Sequence, residues 1–112
     1  MSDAKRVDTV RLQNIAMGFW ESAALMAGIE LGLFTAISNG AGNDNDVAAA
    51  LDITALNAER LITVCMAMDL VSKVEGRYQN AADVDRFLVE GKPGYAGPWM
   101  LFTKPRWDKF GK

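Results

Sequence analysis

Side chains able to move a proton, hold a metal or attack a substrate are scarce in this chain. It has no histidine, which removes the commonest general base and the commonest metal ligand together. Without one, no Ser-His-Asp set can be assembled. Its single cysteine, Cys65, lies between Val64 and Met66 and reads as a core thiol rather than a nucleophile. Asp44 and Asp46 lack the ligand number and the closing Glu of a calcium loop, so they read as loop and helix-cap residues. Gly40-Ala41-Gly42 has the glycines of a phosphate loop, but no apolar strand precedes it. What remains is apolar. Met17, Phe19, Trp20 and Met26 stand near the start, and Tyr95, Trp99, Met100, Phe102, Trp107 and Phe110 near the end. Such residues fill cores, and they also line apolar ligand pockets and dimer seams.

The elements that carry the first group are unusual. Residues 15–37 form one long apolar run whose only charges are Glu21 and Glu30. A surface helix has one apolar stripe and one polar face. Here the stripe Ile15, Phe19, Ala23 and Met26 is flanked by Ala16, Trp20, Ala24 and Ala27, which leaves little polar face. The run needs a second partner besides its own core. Two carboxylates and three glycines inside it argue against a membrane span. No small-residue cleavage site follows an N-terminal apolar core, so it does not read as a signal peptide. Protein on both sides is the better solution.

The whole chain, 112 residues with a net charge of −2, fits one domain of modest size and has no global basic field to draw it to nucleic acid. A lone cysteine and no secretion signal point to a reducing, cytoplasmic setting.

Along the chain, residues 1–8 are polar and read as a flexible N-terminus. A helix is expected over 9–27. Gly28 and Gly32 allow a break or close packing before a second short helix, 29–37. SNGAGNDN (38–45) is a loop by its turn residues. A short helix over 46–51 follows. Thr54 then caps a longer helix running to about Met68, and Asp69 sits at a left-handed stop. LVSKV and RYQN flank Glu75-Gly76, a β-hairpin signal. Asn80, with Asp83 three residues on, is expected to cap a helix over 81–90. Helix, helix, longer helix and hairpin make a mainly α chain with a winged helix-turn-helix core.

A winged helix suggests DNA binding, yet the recognition-helix segment ALNAERLITVCMAMD has Arg60 as its only basic residue. Ile62, Val64 and Met66 are expected on its outer half, where a DNA reader would be polar, so this helix reads as buried on two sides. Lys73 and Arg77 on the hairpin are thin for phosphate contacts. A DNA-binding regulator remains the alternative, and it needs Arg60, Lys73 and Arg77 on one exposed ridge.

The order GFWESAALMAGIELGLFTAI, DVAAALDI, ERLITVCMAMDLV, GRYQNAADVDRFLV and GYAGPWMLF, closing in RW-x-x-F-G, resembles the N-terminal dimerisation domain of small-molecule O-methyltransferases. This S-adenosylmethionine-dependent group includes caffeate-type plant enzymes and bacterial polyketide- and carotenoid-type enzymes. The resemblance implies an intertwined homodimer with extra N-terminal helices. It also implies a separate C-terminal Rossmann-like domain that holds S-adenosylmethionine and the catalytic histidine. Residues 9–103 would be the dimerisation domain and 104–112 the start of a linker. The chain would then be a piece of a longer enzyme, or a stand-alone relative or structural partner of one. Alone it would be non-catalytic, with no cofactor of its own, no nucleic acid and no membrane. By position in the family, Met17, Phe19 and Trp20 would reach the other subunit's substrate pocket, and Trp99, Met100 and Phe102 would line its near side. Ile15, Phe19, Ala23, Met26, Ile29 and Leu33 would form the dimer interface.

Overall fold

Two glycines four residues apart shape the first third of the molecule. The computed structural model describes residues 7–101, apart from the side chains of Met17 and Phe19. It carries α1 (Val10–Leu31) through Gly28 without a break. The chain turns at Gly32, whose φ of 81° lies in the left-handed region that favours glycine. α2 (Leu33–Ser38) then packs back on α1. The expected second helix over 29–37 is thus corrected, and so is the possible break at Gly28. A Cβ at Gly28 would lie 2.8 Å from Cζ of Phe34, so this glycine provides the close approach that seats a fully buried ring.

α2 ends in a Schellman arrangement. Gly40, at φ 110°, donates its N–H to Ile37 O at 3.0 Å, and Ala41 donates to Ala36 O at 3.0 Å. α3 (Asp44–Leu51) starts two residues before its expected position, because Asn43 Oδ1 accepts the Asp46 N–H at 2.8 Å and caps it. α4 (Ala55–Ala67) begins as the sequence predicts, with Thr54 Oγ1 accepting from the Asn57 N–H at 3.1 Å. Both helices stop on a left-handed Asp, Asp52 at φ 56° and Asp69 at φ 59°. Behind each, the next N–H reaches back to close the last turn: Ile53 to Ala48 O at 3.1 Å and Leu70 to Cys65 O at 2.9 Å.

β1 (Val71–Val74) and β2 (Arg77–Asn80) pair antiparallel, with Val71 opposite Asn80 and Val74 opposite Arg77. Glu75 at φ 51° and Gly76 at φ 78° supply the two positive angles that a two-residue hairpin turn with the strands' own twist demands. α5 (Ala82–Phe87) and α6 (Gly97–Met100) complete the described elements. The helix expected over 81–90 is therefore shorter, and Asn80 does not cap it. Asn80 is buried instead, donating Nδ2 to Phe34 O at 2.8 Å and to Asp85 Oδ1 at 3.2 Å. The Lys92 ammonium, 2.6 Å from Asp85 Oδ2, and then Asn80 hold the Asp85 carboxyl below the ordinary carboxylate range.

Leu33, Phe34, Val47, Ala58, Ile62 and Cys65 are the innermost core residues, where α2, α3 and α4 meet. Ala58, Ile62 and Cys65 follow the helical spacing of one inward face. This corrects the expectation that Ile62 points outward and that α4 is buried on two sides. Ile62 faces the core, while Val64 and Met66 are partly open to solvent. The resulting α3–α4 pair with its β-hairpin is the winged helix-turn-helix core of a mainly α chain, as the sequence predicts.

Candidate functional site

α1 divides along its length. From Met26 onward it is anchored: Met26, Gly28 and Ile29 are buried, and the helix packs on α2 and α4. From Val10 to Ala16 every residue is exposed. Large apolar side chains lie in that exposed part and just beyond it, with Leu12 60% exposed, Ile15 64% and Trp20 60%. Surface apolar residues scattered singly need no explanation, but a run of them along one helix marks a surface built to be covered. Covering each such side chain is worth about 1.5–3 kcal/mol.

The residues singled out in the sequence separate accordingly. Ile15 lies on the open arm and Ala23 is half-buried. Met26, Ile29 and Leu33 turn into the protomer's own core, Leu33 with no exposed surface. In the protomer these three side chains support α1 and α2 from within, and Ile15 is the most open of the expected interface residues whose side chains are described. Of the pocket set, Trp20 and Trp99 are exposed, Trp99 at 73% on α6, where Pro98 stands in the first turn. Met100 instead packs against the core. It lines an apolar groove of about 170 Å³ with Leu25, Leu70, Val84, Phe87 and Leu88, which sets α6 beside the middle of α1. Met17 and Phe19 belong to α1, but their side chains, like Phe102 as a whole, lie outside the described residues. Val10 and Leu12, which sequence reasoning passed over, extend the open apolar surface upstream. The signal was present in their type, but their position before the long run hid it.

The polar candidates are structural. Cys65 is buried, and burial pushes its thiol up to about 11, far from a reactive thiolate. Asp44 accepts the Tyr78 hydroxyl at 2.5 Å. Desolvation first, and then that hydrogen bond, raise the Tyr78 hydroxyl from 10.0 to about 12. Arg77 lays its guanidinium along the loop after α2, donating Nη2 to Gly40 O at 2.6 Å. A Cβ at Gly42 would collide with that guanidinium, so Gly42 is a close-approach glycine. Of the three cations a DNA-reading ridge would need, Arg77 is therefore tied to its own loop, and Lys73 Nζ stands 5.5 Å from the Tyr78 ring centroid. Among the described residues, no three His, Cys, Asp or Glu side chains gather as a metal site, and no helix is long and apolar enough to cross a membrane.

Comparison with known proteins gives these features a setting. The family model of the O-methyltransferase dimerisation domain matches residues 13–90. The chain is 37% identical over 100 residues to the 3-hydroxy-5-methyl-1-naphthoate 3-O-methyltransferase of Streptomyces sahachiroi, a match over 86% of this chain and 29% of that enzyme. It is 29% identical over 101 residues to the S-adenosyl-L-methionine-dependent methyl transferase PigF of a Serratia species, again over 86% of this chain and 29% of the relative. The structure of PigF with SAH superimposes at a TM-score of 0.80, with 26% identity, over 93% of this chain and 36% of that one. Human N-acetylserotonin methyltransferase with SAM does so at 0.76, with 25% identity, over 88% of this chain and 31% of that one. The chain thus spans about a third of the length of these proteins. From its winged-helix core through its open apolar first helix, it belongs to the O-methyltransferase dimerisation domain family.

Proposed function

We propose that this chain is the dimerisation and pocket-closing part of an S-adenosylmethionine-dependent O-methyltransferase, working as a homodimer in the cytoplasm. The observation that carries this is the open half of α1, where Leu12, Ile15 and Trp20 stay exposed on a helix whose other half carries the buried Met26 and Ile29. A second copy burying that surface satisfies the excess of apolar area along α1. Trp20 of one subunit and Trp99 of the other then serve as apolar walls that exclude water around an aromatic or polyketide-like acceptor. Met17, Phe19 and Phe102 belong to the same proposed wall by position in the family.

We assign no methyl-donor site to the described residues. No strand among them runs through a glycine-rich loop into a helix, because β2 passes through Ala81 directly into α5. Methyl transfer and donor binding are accordingly assigned to a separate catalytic domain, and this chain contributes assembly and enclosure. Nucleic acid and membrane are not among the proposed partners.

Sedimentation over a range of concentrations tests the assembly, with a dimer expected and a monomer at micromolar concentration overturning it. Calorimetry with S-adenosylmethionine is expected to show no binding to this chain alone, and tight binding would contradict the division of labour. A mobility-shift experiment on mixed genomic DNA at low salt is expected to show no complex.

A further inference from the structure

The loop between α2 and α3 carries the dipeptide Asn39-Gly40, which the proposed dimerisation and pocket closure do not use. Asparagine is thermolabile, and a following glycine makes it most so, because no side chain shields the attacking amide. The reaction balances without any cofactor. The Gly40 amide nitrogen loses its proton to solvent base and attacks Asn39 Cγ. An N–Cγ bond forms, the Cγ–Nδ2 bond breaks, and Nδ2 leaves as ammonia after taking a proton from water. A second water then opens the five-membered succinimide at either carbonyl, leaving aspartate or isoaspartate.

Asn39 is exposed, so its side-chain amide meets the solvent this chemistry needs. Its backbone is held against it. The attacking nitrogen is engaged, since Gly40 N–H donates to Ile37 O at 3.0 Å. Asn39 sits at φ −85° and ψ 6°, which turns the Gly40 nitrogen toward its own backbone and away from Cβ. Ring closure requires a large rotation about that ψ. The rotation would carry off the Gly40 carbonyl, which Arg77 Nη2 grips at 2.6 Å, and the Ala41 N–H, bound to Ala36 O at 3.0 Å.

We propose that Asn39 is a site of spontaneous deamidation gated by Arg77: the Arg77–Gly40 contact holds the peptide out of the reactive conformation, and release of the wing from the loop starts the reaction. Isoaspartate formation inserts an extra carbon into the main chain between Cα of residue 39 and Gly40. The Schellman bonds and the Arg77 grip cannot re-form across it, so the step is a one-way loosening of the hairpin from the loop after α2.

The test compares three samples in mildly alkaline buffer at body temperature: the full chain, its Arg77→Ala variant, and a peptide spanning residues 35–45. Peptide mass mapping and isoaspartate-specific labelling quantify the product at Asn39. The full chain is expected to react at least ~10-fold more slowly than the peptide, as a site that reacts only through local opening should. Arg77→Ala is expected to react several-fold faster than the parent while keeping the parent's circular dichroism. Should Arg77→Ala fail to fold, Arg77→Lys, which keeps the charge and loses the fork, carries the same comparison. A full chain reacting at the peptide's rate would show no gate. A folded Arg77 variant reacting at the parent's rate would show that Arg77 is not what holds it.

Discussion

From Val10 to Trp20, α1 leaves Leu12, Ile15 and Trp20 in solvent, whereas from Met26 onward the same helix buries Met26 and Ile29. The two halves share one axis and a similar apolar content. What separates them is the chain beyond. The turn at Gly32 brings α2 back on the second half, seats Phe34 on Gly28 and sets α4 alongside. In the first half every residue from Val10 to Ala16 is exposed. Apolar sequence thus states a demand for burial, while the placement of the next turn decides whether the protomer or a partner meets it.

The largest effect is expected in the anchored half. Phe34→Ala opens a cavity beside Gly28 and should lower the unfolding free energy by about 3–5 kcal/mol in urea titration. If the loss were below about 1 kcal/mol, the anchored half would not depend on its own core. The open half should respond in a different observable. Leu12→Asp with Ile15→Asp is expected to weaken self-association by at least about 100-fold, because four apolar side chains, two from each subunit, lose cover worth about 1.5–3 kcal/mol apiece. Unfolding of the monomer should move by no more than about 0.5 kcal/mol. A large loss of monomer stability, with association unchanged, would erase the distinction between the halves.

Two smaller changes calibrate the body without touching α1. Tyr78→Phe removes the hydroxyl bonded to Asp44 and should cost about 1 kcal/mol, with association unaffected. Because the Tyr78 hydroxyl is raised in the fold from 10.0 to about 12, its contribution is complete below pH 10 and declines as pH rises toward 12. That alkaline decline should be shallower in the variant. Smallest is Asp69→Gly. It relieves a left-handed aspartate at the end of α4 and should raise stability by about 0.5–1 kcal/mol in the same titration.

Features that depend on a few neighbouring residues were legible in the sequence. Thr54 reads as a cap because its oxygen serves an N–H three residues on. Glu75-Gly76 reads as a hairpin turn because few dipeptides accept two positive φ angles. Asp69 reads as a stop by the same logic. Features decided across the chain were not. Gly28 and Gly32 are equal candidates for a break until Phe34 lands on one of them. Asn80 has the spacing of a cap, yet the Phe34 carbonyl, 46 residues earlier, takes its amide. Arg77 reads only as a thin phosphate contact on the hairpin until Gly40, 37 residues earlier, is found under it. Along the apolar run 15–37, residue type marked Ile15 and Leu33 alike, and only the turn at Gly32 into α2 shows that Leu33 is enclosed while Ile15 is open.

The arm's helicity has a source of its own to account for. A helical segment of roughly ten residues is marginal in water, even when a neighbouring turn has already nucleated it. Gly18 weakens this one further, by about 1 kcal/mol relative to alanine. With its apolar side chains uncovered, the arm gains little from staying wound. Dilution therefore acts on it as a selective denaturant. As the partner leaves, the first three turns of α1 should unwind while the winged-helix body stays intact, so that ellipticity, ordinarily blind to concentration, becomes a gauge of assembly.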